Sequence, residues 1–307
     1  MREKVLRLLR LDTRAVDVNN PNLTRTVVVI GLLIIIVPLL IFAVVNLLPL
    51  LLEEDSLPLV GTGFYIAVAG GFIAQLIDGA LGMAYGVSAT TIMTSLGVSH
   101  AAATASVHTS EIFTSGVSGW FHLKFKNVNK KLVRTLLIPG VIGAILGAYV
   151  LSSLQEYSSS IKPIVAIYTL YLGIRIIRKA VVNFGVKKPV KRIGWLAAVG
   201  GFLDSVGGGG WGPIVSSSLI SRGRHPMYTI GSVNLTEFFV SFASAFTFSL
   251  FLNIQTYWQI ILGLVIGGVI AAPLGAILPK KLPVKQLLIM VGIVVSILSI
   301  RNFITSF

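Results

Sequence analysis

Leu203-Asp204-Ser205-Val206-Gly207-Gly208-Gly209-Gly210-Trp211-Gly212 sets an ionisable side chain and four consecutive glycines inside an apolar region. An uninterrupted helix does not tolerate this, because each interior Gly costs about 1 kcal/mol of helix propensity relative to Ala. The run is predicted to split a helix into two pieces. Within a bilayer such a break exposes backbone N–H and C=O groups, which are tolerated only where protein or a water-filled cavity satisfies them. The break is therefore a candidate binding site.

Asp78-Gly79-Ala80-Leu81-Gly82-Met83-Ala84-Tyr85-Gly86 matches Asp204 to Gly212 without a gap, 126 residues earlier. Asp78 pairs with Asp204, Gly82 with Gly208, Tyr85 with Trp211 and Gly86 with Gly212. The offset persists downstream, where Ser106-Val107-His108-Thr109-Ser110-Glu111 lies on Ser232-Val233-Asn234-Leu235-Thr236-Glu237. Upstream, Gly70-Gly71-Phe72 resembles Gly200-Gly201-Phe202 at an offset of 130. The chain reads as two halves on one plan.

With 54% hydrophobic and 12% charged residues and a mean hydropathy of +0.88, these 307 residues do not make an ordinary soluble domain. The expected fold is all-α: a polytopic helical membrane protein of two inverted-topology repeats, with broken helices or re-entrant hairpins meeting at the midplane and one extra N-terminal span. A formal charge of +14 invites a nucleic-acid reading. The basic residues instead cluster between apolar segments, as in cytoplasmic loops, so nucleic acid is not an expected partner. The chain has no Cys, which excludes disulfides and thiolate chemistry.

The charges also order the topology. Residues 1–26 carry six basic residues and read as a cytoplasmic segment, and 27–52 as an additional transmembrane helix. Glu53, Glu54 and Asp55 then mark an external loop, which puts the N-terminus in the cytoplasm. Lys124, Lys126, Lys130, Lys131 and Arg134 mark an internal loop, and seven basic residues from Arg175 to Arg192 mark another. The first repeat is expected at 61–180, a cytoplasmic linker at 181–192 and the second repeat at 193–307. The second half starts inside and the first outside, so the halves are inverted. The piece from Ile193 to Val206 is only roughly 21 Å long as a helix, short of a core about 30 Å thick, which favours a hairpin of half-helices.

Four of the eleven carboxylates fall in apolar segments: Asp78, Glu111, Asp204 and Glu237, two repeat-related pairs. Ionisable groups there cost a few kcal/mol each and usually face a cavity or bundle interior. They read as proton-coupling residues, or, for the glutamates, as caps on half-helix ends. His108 shares a helical face with Glu111 and fits a polar contact or proton transfer, with Asn234 in its place in the second half. Tyr85 and Trp211 wall a substrate cavity or plug the packing. No Walker loop, Gly-x-Ser-x-Gly elbow or His-Glu-x-x-His occurs, so neither ATP-driven transport nor hydrolysis has a residue-level case, and no cofactor, no metal and no enzymatic activity are expected.

The paired Gly-rich segments, the Gly-Gly-Gly-Gly-Trp-Gly-Pro run at 207–213 and the small-residue stretch Ile138-Pro139-Gly140-Val141-Ile142-Gly143-Ala144 resemble the TauE/SafE sulfite exporter family, from about residue 61 to the C-terminus. The first break departs from the Gly-rich pattern, and the first span is an addition. The resemblance implies an inner-membrane transporter of sulfite, organosulfonates or related small anions. On that reading, helix N-termini after the breaks offer N–H groups and positive dipole ends to an oxyanion. The expected substrate contacts are Gly207, Gly208, Gly209, Gly210, Trp211, Tyr85, Gly82, Ser88, Ser216 and Asn234, with Thr90, Thr91 and Ser217 as further hydroxyl donors. A proton on Asp78 or Asp204 would relieve repulsion between anion and carboxylates, which links transport to protons. The alternative is a cation or metal-ion transporter whose ligands are the same four acids.

Overall fold

The computed structural model describes residues 61–95, 98–154, 157–181, 191–253, 257–277 and 284–306, and these are helical with short connections and no strand among them. The expected N-terminal segment and extra span lie outside the described residues, as does most of the linker. The first half comprises α1 (Thr62–Leu81), α2 (Tyr85–Ser95), α3 (His100–Lys124), α4 (Lys130–Ser153) and α5 (Ser158–Val181). The second comprises α6 (Ile193–Gly207), a π-helical turn (Gly212–Ser216) running into α7 (Ser217–Ser221), α8 (Pro226–Phe251), α9 (Trp258–Ile277) and α10 (Val284–Ile304). Among the described helices, α4, α5, α8 and α9 are long and apolar enough to cross a membrane.

The distribution of polarity is that of a lipid-facing bundle. Ile138, Ile142 and Leu146 of α4 and Phe242, Phe246 and Leu250 of α8 are exposed, while the buried face of α3 carries Ser106, His108, Glu111, Thr114, Ser118 and His122. Several hydroxyls are satisfied inside their own helices, as where half-buried Thr109 donates to the Ala105 carbonyl and buried Thr236 to that of Ser232.

Packing pairs exchange between the halves: α1 lies on α9 and α6 on α4, α3 meets α9 and α8 meets α4, and α3–α8 and α5–α10 join like to like. The same small residues make both close approaches. A Cβ at Gly143 of α4 would overlap the Ala198 carbonyl oxygen, and one at Gly267 of α9 would overlap that of Val68. Removing the side chain lets backbones touch where no water drives association.

Candidate functional site at the crossing of two hairpin tips

Each break is a hairpin. Ile92 of α2 comes within 4.0 Å of the Cβ position of Gly70, and Val215 packs on Gly200, so the second piece folds back along the first in each half. Both turns open with the same device: Gly82 (φ 65°) and Gly208 (φ 66°) end α1 and α6 in the left-handed region and return their N–H groups to the carbonyls of Asp78 and Asp204. A Cβ is disfavoured there, which is why Gly recurs at this offset.

The two tips meet. A Cβ at Gly209 (φ 148°) would overlap Val87 N, and one at Gly86 would lie 3.0 Å from the Gly209 Cα. Each left-handed glycine also faces a hydroxyl of the opposite half: Ser216 Oγ lies 3.1 Å from the Cβ position of Gly82, and Thr90 Oγ1 lies 2.7 Å from that of Gly208. Thr90 and Ser216 are 126 residues apart, so the contact is repeated by the plan of the chain.

Asp204 organises the second tip. Its Oδ1 accepts from Gly210 N–H and Trp211 N–H, both at 2.8 Å, and its carbonyl accepts from Gly209 N–H at 3.0 Å in addition to Gly208 N–H. The expectation that the glycine run offers free N–H groups to an anion is corrected by this arrangement: Asp204 already holds the four from Gly208 to Trp211. The aspartate, and not a glutamate, caps the half-helix. At the first tip Tyr85 N–H faces the Asp78 carboxylate in the same way.

Around this cap sits a polar group that is entirely buried. His108 Nδ1 lies 2.9 Å from Glu111 Oε2 and 3.9 Å from Asp204 Oδ2, and Ser241 donates to Glu111 Oε2 at 2.9 Å. His108 also stacks on Phe248, which fixes the ring. Ligand atoms of His108, Glu111 and Asp204 lie within 4.8 Å of one another. Glu237 is buried within electrostatic range of Asp78, Glu111 and Asp204, so all four intramembrane acids converge. Asp78 Oδ1, Asp204 Oδ2, Thr90 Oγ1 and Ser216 Oγ are buried with no hydrogen-bond partner among the described residues. They form two repeat-related pairs, and unpartnered buried polar atoms are uncommon enough to require an account.

Other expected contacts lie elsewhere. The Tyr85 hydroxyl lies 2.9 Å from Ser110 Oγ, and the Trp211 ring packs on Gly140 and donates to the Val233 carbonyl, so both rings plug the packed core and only their N–H groups face the aspartates. Asn234 donates to Ser118 Oγ at 3.3 Å and lies 3.2 Å from His122 Nε2, away from the Asp204 group. Ser88 is half-buried on α2, and Gly207 packs on the Tyr168 ring. Tyr168 itself is an addition: its hydroxyl donates to the carbonyls of Leu203 at 3.3 Å and Gly209 at 3.1 Å, covering acceptors that the break exposes. No pattern within the sequence links residue 168 to the glycine run; only its intramembrane hydroxyl hinted at a role.

A family model described as Sulfite exporter TauE/SafE matches residues 67–302. The "Probable membrane transporter protein YtnM" of Bacillus subtilis (strain 168) is 36% identical over 243 residues, covering 76% of this chain and 80% of that protein. No solved structure matches.

Proposed function

Because this chain belongs to the sulfite exporter TauE/SafE family of membrane transporters, we propose that it is a proton-linked secondary transporter that moves a small sulfur oxyanion, sulfite or an organosulfonate, across the inner membrane. The observation that carries the reading is the crossing of the two tips, where Thr90 and Ser216 present unpartnered hydroxyls to Gly208 and Gly82, the glycines whose N–H groups return to the carbonyls of Asp204 and Asp78. The hydroxyls are donors to an anion. The carboxylates repel it unless protons accompany it, so anion and proton occupy the crossing together. The exchange of packing pairs between halves, with the alternation of basic and acidic loops, supports inverted repeats that rock about the crossing, with the N-terminus in the cytoplasm.

The experiment is flux into proteoliposomes of the full chain. Sulfite or methanesulfonate entry that saturates and accelerates under an imposed proton gradient supports the proposal. Its absence, with saturable divalent-cation entry instead, rejects it. That second reading has its own observation, the His108–Glu111–Asp204 cluster, whose ligand atoms are close enough for one ion.

A further inference from the structure

A polar cavity of about 270 Å³ lies between α2, α5 and α10, lined by Thr90, Thr91, Thr94, His100, Thr169 and Asn302, with Lys162 and Arg301 among its walls. No carboxylate side chain lines it among the described residues. At ~30 Å³ per water its volume holds about nine waters, enough for a small oxyanion with part of its hydration. Lys162 and Arg301 are exposed, whereas Thr90, Thr91, Thr169 and His100 are buried, so the cavity runs from a cationic mouth to a hydroxyl-lined floor.

The floor touches the second tip. Thr90 and Thr104 place their Oγ1 atoms 2.7 and 2.8 Å from the Cβ position of Gly208, and His100 Nε2 donates to the carbonyl of Val206 at 2.9 Å. Thr90 Oγ1 and His100 Nδ1 line the cavity and have no partner among the described residues. The remaining wall is braced: Asn302 donates to Thr94 Oγ1 at 3.0 Å and Ser299 to Thr169 Oγ1 at 2.8 Å.

We propose that this cavity is a vestibular binding site for a small oxyanion on its way to the crossing, with Lys162 and Arg301 attracting the anion and the Thr90 hydroxyl receiving it at the floor. This rests on the anion-transport reading and locates where the anion binds before it meets the carboxylates. With no acid side chain among its described lining residues, the cavity holds an anion without a proton, whereas the crossing with its four acids does not, so the vestibule binds first and the crossing takes anion and proton together. By the charge alternation, the mouth lies at the outer end of α5.

The test is equilibrium binding of sulfite and methanesulfonate to the detergent-purified full chain. The double variant Lys162→Gln with Arg301→Gln should weaken both about tenfold at low ionic strength, with the difference shrinking at high salt, because exposed charges act through a screened field. Thr90→Val should weaken both by about tenfold at every salt concentration, as expected for one lost hydroxyl donor. Arg178→Gln, which removes an exposed charge from α5 away from the cavity, should change neither. If the parent binds sulfite and the Lys162/Arg301 variant matches it at low salt, the vestibule is rejected while anion transport stands. A parent that binds neither anion overturns both. The charge variant alters exposed residues only, so it decides the matter even where Thr90→Val fails to fold.

Discussion

At the first hairpin the chain turns through Gly82-Met83-Ala84, and at the second through Gly208-Gly209-Gly210. The caps are alike, glycine in the left-handed region bonded to an aspartate carbonyl, but the tips differ. Met83 is fully buried at the first tip, where Lys179 Nζ approaches its sulfur at 3.6 Å and Ser217 Oγ at 3.9 Å, and side chains pack that side shut. Gly209 at the second tip carries no side chain, and Thr90 of the hydroxyl-lined cavity packs on the neighbouring Gly208. The partners of the acids differ too: His108 sits on Glu111 and Asp204, whereas its counterpart Asn234 turns to Ser118 and His122. The comparison teaches that a repeated scaffold builds the crossing while unrepeated side chains give its two sides different surroundings.

The largest effect should come from erasing the tip difference. Gly209→Val adds a side chain that overlaps the Val87 backbone at a φ of 148°, so monodisperse protein should fall to background in size-exclusion chromatography. Met83→Gly makes the first tip resemble the second, and it should fold and shorten the lag to anion entry from the Lys179 side. Equal yields of Gly209→Val and parent would show that the tips do not interlock.

A smaller effect is expected at the aspartates. Asp204→Asn keeps an oxygen for the N–H groups of Gly210 and Trp211, so it should remain folded while flux loses its dependence on the proton gradient. Asp204→Ala leaves two buried N–H groups unpartnered, at about 1–3 kcal/mol each, and should lower unfolding stability by that order. Stability identical for the Asn and Ala variants would remove the capping role.

His108→Asn copies the second half into the first. Flux should drop about tenfold, one charge-assisted contact's worth, with a flattened pH profile, whereas Asn234→His should change flux less than threefold. Matching losses in the two variants would mean that the halves are functionally equivalent. The smallest change is Tyr168→Phe, which should cost about 1 kcal/mol of stability by uncovering the carbonyls of Leu203 and Gly209.

Much of this was legible in the residues. The short piece read from Ile193 to Val206 is α6, Ile193–Gly207, and it ends at the break as expected. The repeat named both breaks, and the match of Asp78 with Asp204 identified the acids that converge. The occupancy of the glycine N–H groups was not legible, because the Asp204 carboxylate reaches residues six and seven positions on, beyond any local capping pattern. Nor was the direction of the Tyr85 and Trp211 rings: which face of a short hairpin is buried depends on α3, α4 and α8, far away in the chain. The cavity with Lys162 and Arg301 joins helices more than a hundred residues apart, and no spacing rule connects them.

The central claim, that the crossing serves a small sulfur oxyanion, is tested most directly by binding of radiolabelled sulfite to the purified chain in competition with methanesulfonate and with manganese. The account predicts saturable sulfite binding that methanesulfonate displaces and manganese leaves unchanged. Saturable manganese binding that Asp204→Asn abolishes, with no sulfite bound, would contradict it.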